Sequence, residues 1–422
     1  MKKRFVISLC FGLLWLILSA ILSIHWIYNI DYIFSIYYLW WIIIGIALLP
    51  GFLMSSMFFS NMLNRKKPFY PKTKEPVTVL LCAHNEQDAI TDSINAILQQ
   101  DYAGYIRLLV IDNASTDQTR QKILQLQQIP ITKRSIKYIY CEQLGKAFAL
   151  NTGLEDIDTA YFITVDADTH LEKHAIQRIM NHIVANHSAC TAGNLFVQNA
   201  TESLTTRMQN YDYLLSIAAV KRFQGSYQST LVAQGAFSAY RTQDVRKIGG
   251  WQNVLGEDIV LTYQLLQQGL SSTYEPRAVA YTTVPATMSH LYNQRKRWAI
   301  GMLEGLSFVH PWQQPKAYSK YFTMVNLTVI YLDLAFLFGF IPGVILAFFG
   351  YYYLVGLLTL FSLLVSAILF YSVYLFQKRL NVPFQNSISG FICFLLFFQT
   401  IQSIAAVHGY MIRLCHRKGS WK

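Results

Sequence analysis

The sequence predicts an α/β domain with a mostly parallel sheet, placed between apolar segments that are long enough to cross a membrane. Residues 77–186 alternate between short strand-like runs and runs with helical spacing, which is typical of a parallel sheet with helices on both faces. Apolar residues concentrate before about residue 60 and after about residue 320. We therefore expect a transmembrane hairpin at 1–62, a cytosolic domain at 72–318, transmembrane helices at 322–412 and a basic tail at 413–422.

The amino-terminal hairpin is predicted from two apolar runs. The first, residues 5–28, follows a basic start, is too long for a signal peptide and precedes no small-residue cleavage site. The second, residues 33–59, has aromatic residues near its start, as at a membrane interface. Because the amino terminus and the loop after the second run are both basic, we expect both, and the domain that follows, in the cytoplasm of a multi-pass cell-membrane protein.

The middle domain has four strand-like runs, each followed by a helical run. We expect strands at 77–81, 106–111, 136–140 and 161–165 and helices at 87–100, 115–127, 145–155 and 171–186. The second helix is expected to begin with a capping box at Ser115 and Gln118. In such sheets ligands bind beyond the carboxyl ends of the strands.

Three further apolar segments are predicted, at 322–349, 351–376 and 388–411. The first contains Asp333 and Pro342, so a kink or a partly re-entrant path is expected. Only Gly350 separates it from the second segment, which leaves almost no loop. Five full spans would place the basic tail outside, against the positive-inside rule. Either one segment does not span the membrane or the tail violates the rule.

The composition excludes some classes of function. The net charge of +12 would suit a nucleic-acid partner, but no such motif is present, and the basic residues flank the apolar segments. A lipid bilayer is therefore the expected partner, and nucleic acid is not. The six cysteines show no C-x-x-C spacing, which argues against a zinc site or a disulfide framework.

Two carboxylates follow the fourth strand. Asp166 and Asp168 point to the same side of an extended backbone, where their like charges favour a cation between them. A hard divalent ion, Mg²⁺ or Mn²⁺, shared with substrate phosphates would suit them. A solvated polar turn is the alternative.

Two more donor-side candidates lie upstream. Asp112 ends the second strand, where it could accept hydrogen bonds from a nucleobase or a ribose, or serve as a turn residue. Lys146 lies in the first turn of a helix, where it could face a phosphate or remain a solvated lysine.

The acceptor-side candidates lie downstream. Asp258 at a helix start is a candidate general base, or a simple capping residue. Gln294, Arg297 and Trp298 form a Q-x-x-R-W cluster next to the membrane. Its arginine could hold a pyrophosphate and its tryptophan could stack on a sugar, or both could anchor the chain to lipid.

The order of these motifs resembles one family, the processive membrane-integrated family 2 glycosyltransferases, which includes cellulose, chitin, hyaluronan and poly-β-1,6-N-acetylglucosamine synthases. The resemblance covers about residues 77–301 by motif. It implies a GT-A fold, a UDP-sugar donor, a divalent metal and a polysaccharide acceptor. On the donor side, the resemblance implies that Asn85, Glu86 and Asp112 contact the uridine, that Asp166 helps to bind the nucleotide and that Asp168 binds the metal; Lys146 lies in the matching G-K-A element. On the acceptor side, it implies that Asp258 is the catalytic base. Acceptor and pyrophosphate contacts are implied for Gln294, Arg297 and Trp298.

Within the family, the biofilm poly-N-acetylglucosamine synthases are most similar, through segments 192–194, 274–276 and 284–287. This implies inverting, processive transfer of N-acetylglucosamine with coupled export, and suggests a small membrane accessory subunit. The pairs Gly193–Asn194 and Gln234–Gly235 fall where the family lines its pocket. The sequence departs from the pattern at Asn113, at Gly256 and at residues 299–302; the last departure bears on polymer identity.

Two alternatives remain open. One is a nonprocessive enzyme of the same fold that adds one sugar to a lipid. The other is a transporter or scaffold with an inactive nucleotide-binding domain, although the four carboxylates Asp112, Asp166, Asp168 and Asp258 are all present.

Overall fold

The structure is a computed structural model of the 422-residue chain. It describes residues 1–64, 69–128, 132–355, 357–380, 382 and 384–415. Most of the predicted basic tail and most of the basic loop after residue 64 therefore lie outside the described residues.

A mixed eight-stranded sheet forms the centre of the domain. Its strands are β1 (Val77–Ala83), β2 (Ile106–Asp112), β3 (Arg134–Tyr140), β4 (Tyr161–Asp166), β5 (Thr169–Leu171), β6 (Cys190–Val197), β7 (Phe237–Arg241) and β8 (Ser272–Thr282). The strand order is β3-β2-β1-β4-β7-β6-β8-β5. The four predicted strands, β1 to β4, are parallel, whereas β7 runs antiparallel to both β4 and β6. The prediction of a parallel sheet is thus correct for one half, and the other half is mixed.

Fourteen helices of the described residues surround or flank this sheet. They are α1 (Lys2–Ile30), α2 (Ile36–Leu63), α3 (Ile90–Leu98), α4 (Thr119–Gln127), α5 (Lys146–Glu155), α6 (Ala175–Asn186), α7 (Leu204–Tyr213), α8 (Val220–Gly225), α9 (Thr242–Lys247), α10 (Glu257–Gln267), α11 (Met288–Phe308), α12 (Ala317–Phe348), α13 (Leu357–Arg379) and α14 (Ile388–Leu414). A π-helical turn, Leu214–Ala219, joins α7 to α8.

Helices cover both faces of the sheet, as predicted. On one face the isoleucines of α3 and α6, such as Ile94 and Ile179, join the core of the strands. On the other face Leu150 of α5 and Leu261 of α10 do so. Each of these side chains is essentially inaccessible to water, which stabilises the fold by about 1.5–3 kcal/mol per residue.

The capping box predicted at Ser115 is wrong, because α4 begins only at Thr119. The Ser115 hydroxyl instead accepts a hydrogen bond from the backbone N–H of Asn85 at 3.1 Å. The Asp117 carboxylate accepts the N–H groups of Thr119 and Gln87, at 2.9 and 3.1 Å. Ser115 therefore joins the loop after β2 to the loop after β1 and does not cap the helix, whose first N–H is accepted by Asp117.

Four helices of the described residues have the length and apolar composition needed to cross a membrane: α1, α2, α12 and α14. Many of their large apolar side chains are exposed, including Leu14 and Leu22 of α1, as expected for a surface that faces lipid. The predicted hairpin segments correspond to α1 and α2.

Two expectations for the carboxyl-terminal segments are corrected. α12 runs as one helix through Pro342, with a π-helical turn at Phe336–Phe340 just before the proline, so the segment is not re-entrant. The next helix, α13, begins at Leu357 and not at 351, because Gly350, at φ +84°, opens a loop between them.

The apolar helices are packed against the α/β domain. Ala299 of α11 clusters with Ala406, Val407 and Tyr410 of α14. A Cβ on Gly409 would lie 2.7 Å from the carbonyl oxygen of Lys296, so the two helices approach closely at this glycine. The helix that carries the Q-x-x-R-W cluster therefore packs directly against one of the long apolar helices.

Candidate active site

The strand register brings two predicted site residues to one edge of the sheet. Asp112 pairs with Ala83, and Asp166 pairs with Cys82, so the two aspartates flank the carboxyl end of β1. Asp112 is 1% exposed, and its carboxylate accepts hydrogen bonds from the Ser115 N–H at 3.0 Å and the Tyr138 hydroxyl at 2.9 Å.

The loop after β1 holds the next two candidates. Asn85 has a φ of +56°, a left-handed conformation that asparagine tolerates, and its Oδ1 accepts the Thr116 N–H at 2.8 Å. The N–H of Glu86 donates to Thr119 Oγ1 at 2.9 Å. The loops that follow β1 and β2 thus form one surface beside Asp112.

Asn113, a departure from the family pattern, has a clear structural role. Its Nδ2 donates to the carbonyl of Gln143 at 2.7 Å, and its Oδ1 accepts the N–H of Gly145 at 2.8 Å. A carboxylate could accept but not donate, so the amide suits this position. Asn113 thereby holds the backbone immediately before Lys146.

Lys146 lies where the donor-side and acceptor-side carboxylates meet. Its Nζ is 2.5 Å from Asp166 Oδ1 and 3.9 Å from Glu257 Oε1. Burial acts to lower the pKa of this lysine, but the neighbouring Asp166 and Glu257 outweigh it and raise the pKa above its ordinary value. A Cβ on Gly235 would lie 2.6 Å from this ammonium, so Gly235 makes room for it. The lysine is therefore an ion-paired cation with 18% of its side chain exposed, and not the solvated lysine that was the alternative.

Asp168 and Glu86 give this edge an excess of negative charge. Burial and the nearby Asp166 raise the pKa of Asp168 to about 6. Burial, Asp168 and Asp166 raise the pKa of Glu86 to about 7. Asp168 Oδ1 has only long contacts with the hydroxyls of Thr169 and Thr282, at 3.3 and 3.4 Å.

A divalent cation would relieve this repulsion, so the residues present fit one. Among the described residues no three His, Cys, Asp or Glu side chains converge as a complete metal-binding group. A nucleotide-dependent Mg²⁺ commonly uses one or two carboxylates together with substrate phosphates.

Asp258 lies in the first turn of α10, as predicted, next to Glu257. Its Oδ1 accepts the N–H of Ile259 at 2.8 Å. Burial raises the pKa of Asp258, while Lys146 and Lys221 act in the opposite direction. Burial and the adjacent Asp258 raise the pKa of Glu257 to about 8. The structure thus creates a carboxylate with increased basicity beside two lysines.

Gly256, another departure from the family pattern, lies against Gly301 of α11. A Cβ on Gly256 would lie 2.5 Å from the Cα of Gly301, and a Cβ on Gly301 would lie 2.8 Å from the Cα of Gly256. The Gly256 N–H also donates to Glu304 Oε2 at 3.0 Å. Gly256 therefore forms one close contact with Gly301, which lies within segment 299–302, and this contact joins α10 to α11.

Gln294, Arg297 and Trp298 lie on one face of α11, at i, i+3 and i+4 spacing. Trp298 is 43% exposed, and Gln294 Oε1 is a buried oxygen without a hydrogen-bond partner among the residues that the structure describes. The contact with α10 is made by Gly301, about one turn beyond Trp298, and not by the motif itself.

Sequence reasoning missed a buried ion pair behind Trp298. The Nη1 of Arg295 is 2.8 Å from Asp212 Oδ2 of α7. The same guanidinium lies over the Trp298 ring, 4.2 Å from its centroid.

The sequence analysis also gave too little weight to two further residues. Lys221 was not considered, and Gln234 was only a pocket candidate. No local pattern identifies these residues, because their partners lie on other elements.

Comparison with known proteins supports the interpretation of this sheet edge as a glycosyltransferase site. The model of the family described as Glycosyl transferase family 2 matches residues 78–249. A poly-β-1,6-N-acetyl-D-glucosamine synthase of Staphylococcus aureus (strain MSSA476) is 28% identical over 244 residues, which cover 57% of this chain and 57% of the relative. The synthase of the same name from Staphylococcus epidermidis is 27% identical over 271 residues, covering 62% of this chain and 64% of the relative. The match thus spans less than two thirds of these relatives.

Among solved structures, a mannosyltransferase from Pyrobaculum calidifontis, in complex with GDP-Man and Mn²⁺, has a TM-score of 0.54 and 19% identity, covering 80% of this chain and 93% of the other. This similarity concerns the fold, which is the GT-A α/β architecture that the sequence resemblance implied. The described sheet, the residues matched by the family model and the synthases that resemble the chain agree, and residues 78–249 are similar to a glycosyl transferase family 2 domain.

Proposed function

We propose that the protein is an inverting glycosyltransferase that transfers N-acetylglucosamine from UDP-N-acetylglucosamine to a growing polysaccharide. One observation carries the proposal: Lys146 lies between Asp166 at the sheet edge and Glu257 at the start of α10, so donor-side and acceptor-side carboxylates meet at one cation. The domain family and the names of the similar synthases support the donor and acceptor classes.

The donor binds above the carboxyl edge of the sheet. Asp112, Asn85 and Glu86 contact the uridine, since they line adjoining loops at this edge. Asp166 helps to bind the nucleotide, and Lys146 lies close enough to change its partner from a carboxylate to a phosphate oxygen. Asp168 would hold the divalent metal, Mg²⁺ or Mn²⁺, which would neutralise charge on the diphosphate when bound.

The transfer is a single displacement. Asp258 takes the proton from an acceptor hydroxyl, and that oxygen forms a bond to the anomeric carbon. The bond between the anomeric carbon and the β-phosphate oxygen breaks, its electron pair leaves with UDP, and an α-linked donor gives a β-linked product. The raised pKa of Asp258 favours proton abstraction. Arg297 stabilises the leaving diphosphate.

The acceptor lies along α11. Trp298 is 43% exposed and offers a platform for a sugar ring, and Gln294 lies one turn earlier on the same face of α11. Transfer is processive, and the polymer leaves between the apolar helices of a multi-pass cell-membrane protein whose catalytic domain is cytoplasmic. A small membrane subunit assists this export.

The test is incorporation of radiolabelled sugar from UDP-N-acetylglucosamine by membranes that carry the protein. Asp258→Asn should lower incorporation by about 10²–10⁴-fold, because the base is lost. Asp92→Asn is the matched control, since Asp92 is an exposed aspartate in the first turn of another helix. Near wild-type polymer from Asp258→Asn would refute the assigned base.

Two further readouts examine the finer claims. Product size separates processive synthesis from the addition of one sugar to a lipid, since a single glycolipid band would favour the latter. A strong chelator should abolish incorporation, and undiminished activity would count against the metal. A panel of UDP-sugars, followed by linkage-specific digestion, identifies the donor and the linkage.

A further inference from the structure

Lys221 is a buried lysine close to the proposed base. It lies on α8, just after the π-helical turn, and is 7% exposed. Its ammonium donates a hydrogen bond to Oε1 of Gln234. The adjacent Ala233 N–H donates to Thr262 Oγ1 at 3.0 Å, and the Thr262 hydroxyl donates to the carbonyl of Asp258 at 2.7 Å. Segment 233–234 therefore lies against the first turn of α10, where Lys221 and Asp258 interact electrostatically. The donor-side and acceptor-side candidates found in the sequence do not include this residue.

A lysine in this position is costly for the fold. Burial lowers the pKa of Lys221 to about 7, while Asp258 acts to raise it. Its hydrogen-bond partner is a neutral amide, which compensates only in part for the lost hydration of an ammonium. Such a group is therefore expected to serve a purpose other than stability.

Gln234 fixes the place of this ammonium. Its Nε2 donates to the carbonyl of Gly193 at 2.8 Å and to that of Phe237 at 3.2 Å. Because both amide hydrogens are directed to carbonyls, Oε1 is the atom that faces Lys221. The next residue, Gly235, lies against the Lys146 ammonium. Gln234 thus contacts Lys221, and the adjacent Gly235 contacts Lys146.

The charges around Asp258 show what Lys221 contributes. Burial is the main influence that raises the pKa of Asp258, and Asp166 and the adjacent Glu257 add negative charge nearby. Lys146 acts against them, but its ammonium is engaged by Asp166 at 2.5 Å. Lys221 is the second cation that acts on Asp258 and, in the described part of the chain, it has no ion-pair partner within 4.0 Å.

We infer that Lys221 is a positioning residue for the proposed base, whose positive charge, held in place by Gln234, keeps Asp258 ionised for proton abstraction. The inference rests on the proposed function. It assigns no contact between Lys221 and the substrate, since Lys221 is only 7% exposed and its ammonium is hydrogen-bonded to Gln234.

The sign of the expected pH effect follows from the charges. An ammonium near a carboxylate favours the ionised form and lowers its pKa. Removing that ammonium raises the pKa of Asp258, so a higher pH is needed to ionise the base. The acidic limb of kcat against pH, which reports the base in the enzyme–substrate complex, should then move upward by about one pH unit.

The experiment compares Lys221→Met, Lys221→Gln and Lys221→Arg in the full-length protein. kcat for incorporation from UDP-N-acetylglucosamine is measured from about pH 5 to about pH 9, and UDP affinity is measured as a check of folding. Both neutral variants should move the acidic limb upward, and Lys221→Arg, which keeps the charge, should restore it. Lys137→Met is the control, because Lys137 of β3 is half-exposed and forms an ion pair with Asp156.

Either of two outcomes would overturn the inference. One is an acidic limb at the wild-type position in a neutral variant that still binds UDP. The other is loss of UDP binding in both neutral variants, which would make Lys221 a structural residue. Failure of the wild-type protein to use any UDP-sugar would instead refute the proposed function. If the wild type is active but the Lys221 variants do not shift the acidic limb of kcat against pH, only this inference is refuted.

Discussion

The donor half and the acceptor half of the site are built in different ways. The donor half lies at the ends of parallel strands β1, β2 and β4, and Asp112 and Asp166 are strand residues whose register alone brings them together. The acceptor half lies on α10 and α11, which meet through Gly256 and Gly301. One half follows from strand geometry, whereas the other depends on how helices pack.

The contacts behind each half show the same difference. Asp112 is held by Ser115, three residues along the chain, and by Tyr138 of the adjacent strand. Trp298 is backed by Arg295, whose ion-pair partner Asp212 comes from a distant helix. The acceptor half also touches the membrane helices, since α11 packs against α14. We therefore expect changes in the donor half to affect nucleotide binding and changes in the acceptor half to affect transfer.

The largest effect is expected where the two halves meet. Lys146→Met would leave Asp166 and Glu257 without their shared cation, and removing the partner of a charged hydrogen-bonding group costs about 1.5–3 kcal/mol. We expect about a hundredfold loss of sugar incorporation together with weaker UDP binding. Lys247→Met, at an exposed lysine of α9, is the control. Normal incorporation by Lys146→Met would show that the two halves do not depend on this lysine.

An intermediate effect is expected in the acceptor half. Gly301→Ala would place a methyl group 2.8 Å from the Cα of Gly256 and push α11 away from α10. Overpacking of this kind costs about 1–3 kcal/mol, so transfer should fall about tenfold while UDP affinity stays unchanged. Ser307→Ala, at an exposed position of the same helix, should have no such effect. If Gly301→Ala weakened UDP binding as much as transfer, the two halves would not be separable.

The smallest effect is expected in the donor half. Asp112→Asn keeps the shape of the side chain but removes a charged acceptor, so UDP affinity should fall about threefold, with kcat at saturating donor unchanged. Asp158→Asn is the control, because Asp158 is 72% exposed in its ion pair with Arg107. Isothermal titration calorimetry with UDP measures the UDP affinity, and incorporation assays measure kcat. A large fall in kcat with unchanged UDP affinity would contradict the role assigned to Asp112.

The sequence predicted the strands of the donor half correctly, and its errors concern loops and the ends of helices. Strands β1, β2 and β4 lie where hydrophobic runs predicted them, because a buried strand must be apolar along its length, and the partly exposed edge strand β3 also lies where it was predicted. Ser115 was assigned a capping role from its spacing to Gln118, but its hydroxyl binds the Asn85 N–H of another loop. The early start predicted for the second carboxyl-terminal segment missed the loop that begins around Gly350. In both cases a local pattern had more than one structural solution.

The sequence by itself determined the α/β alternation, the apolar flanks and the carboxylates at the strand ends, because periodicity and strand-end position are properties of neighbouring residues. Only the tertiary structure decided that Lys146 is shared by Asp166 and Glu257, that Gly256 meets Gly301, and that Lys221 lies near Asp258. These contacts join residues far apart in the chain. Their distances depend on the packing of whole helices against the sheet, and no local spacing encodes that packing.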